Sequence, residues 1–232
     1  ITKNVTKVDF SQRPFKVWIR DQEYQAKSII ISTGASAKYL GLPSEKLYLS
    51  KGVSACATCD GAFFRNVPVA VVGGGDTAME EANFLTRFAS QVYIIHRKDS
   101  FRASKIMADR ALKNPKIKVI WDSEITEVVG DGKKVTSVKL SHLKTKAVSD
   151  LSVEGVFVAI GHKPNTDLFK GTLEMNETGY LVTKPHSSYT NIEGVFAAGD
   201  VQDHVYRQAI TAAGSGCMAA IDAERWLEAQ EF

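Results

Sequence analysis

The fold is decided by one stretch, Val71-Val72-Gly73-Gly74-Gly75-Asp76-Thr77-Ala78. It fits the pattern G-x-G-x-x-A, and the apolar run Val69–Val72 is typical of a strand buried on both faces of a parallel sheet. Gly73 would permit a tight turn, Gly75 would let the backbone approach a pyrophosphate, and Ala78 would keep helix and sheet close. A glycine-rich turn without a ligand is the alternative, so the pattern needs the right structural context.

The segments around this stretch supply that context. Apolar runs over 91–95 and 117–121 predict strands, and helical spacing over 101–112 predicts a helix between them. Together with the first strand and its helix they form a β-α-β-α-β pattern, the nucleotide-binding half-fold. An antiparallel meander is predicted over 124–153, and Val156–Ile160 would close the sheet. The sequence therefore predicts an α/β, Rossmann-like three-layer domain.

Two apolar strands that end in glycine, over 28–34 and 156–161, bracket this unit. The bracketing indicates an inserted domain at 36–163, with 1–35 and 164–232 forming a second, discontinuous domain. Antiparallel strands are predicted in the N-terminal part of this second domain.

The residues after the second predicted strand bear on the choice of nucleotide. An NAD enzyme would place an acid there for the ribose hydroxyl, about 20 residues after the glycines. This chain has His96-Arg97-Lys98 instead, followed by Arg102. Cations attract a 2′-phosphate, and arginine binds it through two hydrogen bonds. A solvated basic surface is the alternative, but the position favours NADPH over NADH.

The second chemical motif is Cys56-Ala57-Thr58-Cys59-Asp60. Two thiols at this spacing can form a disulfide, and the adjacent carboxylate is a candidate proton donor or acceptor. Half of a zinc site is the alternative, but zinc requires four ligands. The only other cysteine is Cys217, predicted to be a small buried residue, and the five histidines are scattered. A redox pair without a metal is therefore the interpretation.

Composition narrows the class of protein. The chain has 232 residues, 44% hydrophobic and 24% charged, with a net charge of +3, as in ordinary globular domains. That charge is too small to indicate nucleic acid as a partner, and no apolar run approaches the length of a membrane span. Three cysteines, two of them in one motif, fit a catalytic dithiol in the cytoplasm.

A third motif lies near the C-terminus. The segment Gly194–Asp200 predicts a strand, a turn and an acid, and Arg207-Gln208-Ala209 opens a helix predicted over 206–227. Asp200 could accept hydrogen bonds from a ribose or ribityl hydroxyl, although a simple turn is the alternative. A ligand could also reach the amides at the start of the helix.

These motifs, in this order, resemble those of the low-molecular-weight (bacterial-type) thioredoxin reductases over essentially the whole chain. The matching residues are Ser32–Ser36, Ser54–Gly61, Gly73–Ala78, His96–Lys98 with Arg102, Gly194–Asp200 and Arg207–Ile210. The resemblance implies a homodimeric flavoenzyme in which NADPH reduces FAD, the flavin reduces the cysteine pair, and the dithiol reduces thioredoxin. It also implies an NADPH domain at 36–163 inserted into an FAD domain formed by 1–35 and 164–232.

The resemblance assigns roles residue by residue. Cys59 would face the flavin, Cys56 would attack the disulfide of thioredoxin, and Asp60 would donate and accept protons. The implied NADPH-binding residues are Gly73, Gly74, Gly75, Asp76, Thr77, Ala78, His96, Arg97, Lys98, Arg102, Ile160 and Gly161. The implied FAD-binding residues are Thr33, Gly34, Gly199, Asp200, Arg207, Gln208 and Ala209. Phe63 and Phe64 would form a docking patch for thioredoxin, or else pack in the core.

The sequence departs from the family pattern at its start. The family begins with an FAD fingerprint, G-x-G-x-x-G, which this chain lacks, so on the order of 80 residues of the FAD domain are expected to be absent. Three hypotheses follow: a fragment of thioredoxin reductase, an NADPH-binding dithiol module without flavin, or a related reductase with another disulfide partner.

Overall fold

The computed structural model describes residues 2–230, which divide into two compact units. The outer unit combines the chain up to Ser36 with the residues from His162 onward, and the inserted unit is Ala37–Gly161. The sequence pattern predicts these divisions at 35/36 and 163/164, within two residues of the observed positions.

The strands are β1 (Lys7–Asp9), β2 (Phe15–Ile19), β3 (Gln22–Ala26), β4 (Ile29–Ile31), β5 (Ala35–Ala37), β6 (Val53–Ser54), β7 (Pro68–Val72), β8 (Gln91–Ile95), β9 (Ile117–Ile120), β10 (Ser123–Gly130), β11 (Val135–His142), β12 (Val148–Ser152), β13 (Gly155–Val158), β14 (His162–Pro164) and β15 (Val195–Ala197). The α-helices are α1 (Pro43–Leu47), α2 (Ala57–Asp60), α3 (Asp76–Leu85), α4 (Lys105–Leu112) and α5 (Ala209–Glu228). Single 3-10 turns occur at Gly61–Phe63, Asp167–Phe169 and Gly199–Val201.

The inserted unit is built on a parallel sheet with the strand order β6-β13-β7-β8-β9. Because side chains alternate along a strand, Val69 and Val71 of β7 face one core while Ala70 and Val72 face the other. All four are buried, as expected for a central strand that is covered on both faces.

The two faces of the sheet are covered differently. Helices α3 and α4 pack on one face through Ala78, Ala82 and Ala111, among others. The antiparallel sheet β10-β11-β12 covers the other face, with Val128 and Val138 in its core. The predicted Rossmann-like three-layer fold is confirmed, and one of its outer layers is a β-meander.

The start of α4 differs from the prediction. The spacing predicts a helix from Phe101, whereas α4 begins at Lys105. The amides of Arg102 and Ala103 instead donate to the carbonyl of Gly74, at 2.8 and 3.1 Å. A long-range contact with the glycine turn therefore replaces the first helical turn.

The outer unit contains the antiparallel sheet β1-β2-β3 and the parallel pair β4-β15. The sequence predicts antiparallel strands in the N-terminal segment. This prediction is right for β1 and β2 and wrong for β4, which pairs in parallel with β15. Strand β3 escapes prediction because its sequence, Gln22–Ala26, is mostly polar and partly exposed.

Helix α5 packs on β15 through one face, which carries Ala219, Ala223 and Trp226. Its opposite face is exposed and includes Ile210 and Cys217. The prediction that Cys217 is buried is therefore wrong, because the helical phase places it opposite the packed residues. Among residues 2–230, no helix is both long enough and apolar enough to span a membrane.

Hydrogen bonds within each unit join its chain segments close to the two points where the chain passes between the outer and the inserted unit. In the inserted unit, the amide of Lys38 donates to the carbonyl of Gly161 at 2.9 Å. In the outer unit, the amide of Asn165 donates to Gly34 O at 2.9 Å, and its side-chain nitrogen donates to Thr33 O at 2.9 Å. Asn165 thus joins two segments that lie far apart in the sequence.

Candidate functional site

The parallel sheet of the inserted unit brings the predicted dithiol and nucleotide residues to one edge. Parallel strands present their carboxyl ends at the same edge, and there Cys56 follows β6, Ile160 follows β13 and Gly73 follows β7. His96 follows β8 at the same edge. With strands about 4.8 Å apart, the cysteine motif lies roughly 10 Å along the edge from the glycine turn.

The two cysteines of the motif form a disulfide, Cys56–Cys59, with Cα atoms 5.3 Å apart. Cys59 is exposed and Cys56 is half-buried. Cys56 is the N-cap of α2, and its Sγ accepts a hydrogen bond from the amide of Cys59 at 3.2 Å. The hydroxyl of Thr58 lies 3.3 Å from the same sulfur. Two donors are therefore directed at the sulfur of Cys56.

The residues after the disulfide split between core and surface. Asp60 is the last residue of α2 and is half-buried. The ring of Phe64 packs edge-on against Phe157, with centroids 5.1 Å apart, whereas the side chain of Phe63 is 82% exposed. Of the two phenylalanines, Phe64 packs against the core and Phe63 is exposed, four residues after Cys59.

The glycine turn leaves its backbone open on one side only. A methyl group on Gly73 would lie 2.5 Å from Ala159 O and 2.7 Å from the Cβ of Ala78. A methyl group on Gly75 would meet only Arg102, with Nη2 at 3.7 Å. The turn lies between β7 and β13, where the direction of strand succession reverses, and such switch points are where α/β sheets bind nucleotides. The open backbone fits a pyrophosphate.

The basic loop after β8 is anchored to this turn. The ring of His96 packs so closely on Gly74 that a side chain there would overlap it, and its Nε2 donates to Ser100 O at 3.0 Å. Arg97, Lys98 and Arg102 are exposed. Within residues 2–230, none of these three cations forms an ion pair with an acid. They fit a dianionic phosphate next to the turn.

Two polar contacts that the sequence pattern does not reveal support this loop. Asp99 lies among the cations of the loop. The Nζ atom of Lys144 lies 3.4 Å from the carboxylate of Asp99 and 2.9 Å from the carboxylate of Asp122. The carboxylate of Asp76 accepts bonds from the amide and hydroxyl of Ser104, at 2.8 and 2.9 Å. Lys144 thus neutralises the negative charge of Asp99, the one acid in the loop, and Asp76 fixes the start of α4.

The environment of His96 keeps its imidazole neutral. Burial lowers the pKa of His96 below its ordinary value, and the charges of Arg97 and Lys98 lower it further, against the hydrogen bond to Ser100. The unfolded chain therefore binds this proton more readily than the folded chain does. The resulting contribution to the stability of the folded state is present above the ordinary histidine pKa of about 6.5. It is lost as the pH falls through the lower pKa that His96 has in the folded chain.

We expect adenosine 2′,5′-bisphosphate to raise the pKa of His96, because a nearby phosphate favours the imidazolium form. An NMR titration measures this shift, with the signal assigned by its loss in His96→Asn. The control ligand is 5′-AMP, which lacks the 2′-phosphate and should leave the titration unchanged. An equal response to both ligands would place the 2′-phosphate away from His96.

The residues predicted to hold FAD also gather at one sheet edge, in the outer unit. Thr33 and Gly34 follow β4, and Gly199 and Asp200 follow the parallel neighbour β15. The amide of Gly199 donates to Ser215 Oγ of α5 at 2.9 Å, which brings this turn to the helix.

The start of α5 adds further groups to this edge. Gln208 is the N-cap and forms a capping box with Thr211, so Arg207, Gln208 and Ala209 surround the N-terminus of a 20-residue helix. Open glycine backbone at Gly34, a carboxylate acceptor and helix amides together fit a dinucleotide cofactor. Among residues 2–230, no cluster of three or more histidines, cysteines and acids could hold a metal ion.

Comparison with known proteins gives consistent matches. The family model described as pyridine nucleotide-disulphide oxidoreductase matches residues 1–216. A thioredoxin reductase of Rickettsia conorii is 56% identical over 230 residues, which cover 98% of this chain and 74% of that protein. The solved thioredoxin reductase of Giardia duodenalis is 46% identical with a TM-score of 0.92, over 98% of this chain and 75% of that one. The enzyme of Streptococcus pyogenes is 42% identical with a TM-score of 0.93, over 98% and 74%.

Proposed function

Because the chain belongs to the thioredoxin reductases, within the pyridine nucleotide-disulphide oxidoreductases, we propose that Cys56 and Cys59 are its redox centre. The family consists of FAD-containing enzymes that reduce the disulfide of thioredoxin with NADPH. The observation that carries the proposal is the Cys56–Cys59 disulfide at the same sheet edge as the glycine turn and basic loop. The inserted unit would be the NADPH domain and the outer unit part of the FAD domain.

In the proposed exchange, Cys56 is the nucleophile. The Cys59 amide and the Thr58 hydroxyl surround its sulfur, and such donors stabilise a thiolate after reduction. The Cys56 thiolate attacks one sulfur of the partner disulfide, forming a mixed disulfide and releasing a partner thiolate. Cys59 then attacks the sulfur of Cys56 in this mixed disulfide and expels the second partner thiolate, which regenerates the Cys56–Cys59 disulfide and leaves the partner reduced.

Protons must balance this exchange. Asp60 directly follows Cys59 and is half-buried, so it would take the proton from the Cys59 thiol and pass it to one of the two partner thiolates, while the other takes a proton from solvent. Phe63 would contact the partner, because it is a large exposed apolar side chain that follows the dithiol by only four residues.

The NADPH site is proposed along the glycine turn. Gly73, Gly74, Gly75 and the start of α3 would hold the pyrophosphate, and His96, Arg97, Lys98 and Arg102 would surround the 2′-phosphate. Asp76, Thr77 and Ala78 would shape the turn, and Ile160 and Gly161 would line the site from β13. Support comes from the open backbone at Gly75 and from the three exposed cations.

The FAD site is proposed at the edge of β4 and β15. Thr33, Gly34, Gly199 and Asp200 would hold the ribityl and diphosphate groups, and Arg207, Gln208 and Ala209 would contact the cofactor at the start of α5. When bound, FAD supplies the two-electron carrier between NADPH and the dithiol. A homodimer and a cytoplasmic location are also proposed, on the family resemblance and on the use of cysteine.

An assay with the purified chain tests this function. We expect NADPH oxidation to require FAD and oxidised thioredoxin together, and the visible spectrum reports how much flavin the chain retains. Absence of flavin and of turnover, even with added FAD, would instead support an NADPH-binding dithiol module. Turnover with another disulfide protein but not with thioredoxin would indicate a different partner.

A further inference from the structure

One carboxylate organises the loop that leads into α5. The Oδ1 atom of Asp203 accepts hydrogen bonds from the amides of Val205 and Tyr206, at 3.0 and 2.8 Å. Its Oδ2 atom accepts from the amide of Arg207 at 2.9 Å, and the hydroxyl of Thr211 lies 3.1 Å away. Three successive backbone amides and a residue of the first helical turn therefore converge on one side chain.

The loop adopts a conformation that its sequence does not favour. Arg207 has φ of 50°, in the left-handed region that few residues other than glycine adopt. Its guanidinium also donates to the carbonyl of His204. Because Arg207 bonds through its amide to Asp203, the carboxylate compensates for the strained backbone at this position.

The Asp203 side chain is charged in this environment. Partial burial raises the pKa of Asp203, but the hydrogen bonds from Tyr206, Arg207 and Val205 outweigh burial and hold the pKa below its ordinary value. A carboxylate accepts hydrogen bonds only, which suits a position surrounded by donors.

The same network fixes the start of the helix. The hydroxyl of Thr211 lies 2.9 Å from Gln208 O, and the amide of Gln208 donates to that hydroxyl at 3.3 Å. Thr211 thus connects Asp203 to the N-cap of α5. The loop and the first helical turn form one hydrogen-bonded structure with Asp203 at its centre.

We propose that Asp203 is a positioning residue of the flavin site, which holds Arg207, Gln208 and Ala209 in the arrangement that receives FAD. This inference rests on the proposed function, which assigns those three residues to the cofactor. Asp203 itself has its acceptor atoms occupied by the loop, so it acts through the residues that it holds.

The test compares Asp203→Asn and Asp203→Glu in this chain, with Asp9→Asn as the matched control. Asp9 also lies in the outer unit and accepts bonds from the amide and hydroxyl of Ser11, in a turn that contacts α5 through Arg13 on Trp226, at the far end of the helix from Asp203. Hydrogen exchange followed by mass spectrometry reports the amides at 205–207, and quenching of flavin fluorescence reports FAD affinity. Circular dichroism verifies that each variant folds.

We expect Asp203→Asn to speed exchange at 205–207 and to weaken FAD binding, each by about tenfold, since charged hydrogen bonds are lost. Asp203→Glu should recover part of both losses because it retains a carboxylate, and Asp9→Asn should change neither. Unchanged exchange in Asp203→Asn would overturn the positioning role, and faster exchange with unchanged FAD affinity would overturn its link to flavin.

A different result, the FAD affinity of the unsubstituted chain, tests the proposed function itself. If the unsubstituted chain shows no FAD affinity, the assignment of Arg207, Gln208 and Ala209 to flavin is rejected, and the flavin role of Asp203 falls with it. The exchange measurement still decides, independently of flavin, whether the carboxylate holds the loop.

Discussion

A pre-reduced Cys59→Ser chain should form a stable mixed disulfide with thioredoxin through Cys56, while disulfide turnover falls to the detection limit. The reason is that Cys56 keeps the donors at its sulfur, but no second thiol remains to displace it from the partner. Affinity for NADPH should be unchanged, because the nucleotide site does not include the dithiol. Mass spectrometry of the trapped complex and a binding titration measure the two effects.

The chain supplies matched controls for this experiment. Cys56→Ser should trap nothing, since it removes the nucleophile and leaves Cys59 in place. Cys217→Ser should react as the unsubstituted chain does, although Cys217 is also exposed. Trapping by Cys56→Ser and not by Cys59→Ser would reverse the roles of the two cysteines, and trapping through Cys217 would reject the motif as the reactive site.

Replacing Arg97 and Arg102 together with alanine should weaken NADPH binding by about 100-fold, equivalent to roughly 2.7 kcal/mol, with little change for NADH. Each arginine is exposed and lacks an acidic partner among residues 2–230, so its charge is available to a 2′-phosphate. A charge-assisted hydrogen bond contributes about 1.5–3 kcal/mol, and because solvent screens both exposed arginines, two contributions just below that range account for the effect. Isothermal titration with both nucleotides measures the difference.

Arg110→Ala is the control for this pair. Arg110 is exposed in the last turn of α4, in the helix that follows the basic loop, so its removal tests for a general effect of positive charge. Only a small, salt-sensitive change is expected from it. Equal losses of NADPH and NADH in the double variant would mean that the arginines bind a group that the two nucleotides share.

Patterns of apolar residues predicted the elements that are buried on both faces. Strand β8 was predicted at its observed bounds because Val92, Ile94 and Ile95 are all buried. Strand β3 escaped prediction because its residues bury little surface, so its pairing with β2 depends on the backbone. Parallel pairing of β4 also escaped prediction, since its partner β15 lies far along the chain. Local sequence carries no information about such a distant partner.

The residues of the candidate site also divide into those that local sequence predicts and those that only the fold brings together. Glycines and cations beside a strand end are local signals, and they led to Gly73, Gly75 and Arg102. The support of Asp99 by Lys144 is not local, because the two residues lie 45 positions apart. The convergence of three amides on Asp203 depends on a left-handed residue at 207, for which arginine gives no sequence signal.

The hydrogen bond between Lys38 and Gly161 bears on the entropic cost of assembling the outer unit. It shows that the inserted unit returns its two ends to adjacent positions. Bringing together the ends of a flexible loop on the order of 100 residues costs about 4 kcal/mol of chain entropy. Once the inserted unit is folded, that cost has been met, and the separated parts of the outer unit meet as if joined by a short connection. Folding of the inserted unit therefore lowers the entropic cost of assembling the outer unit.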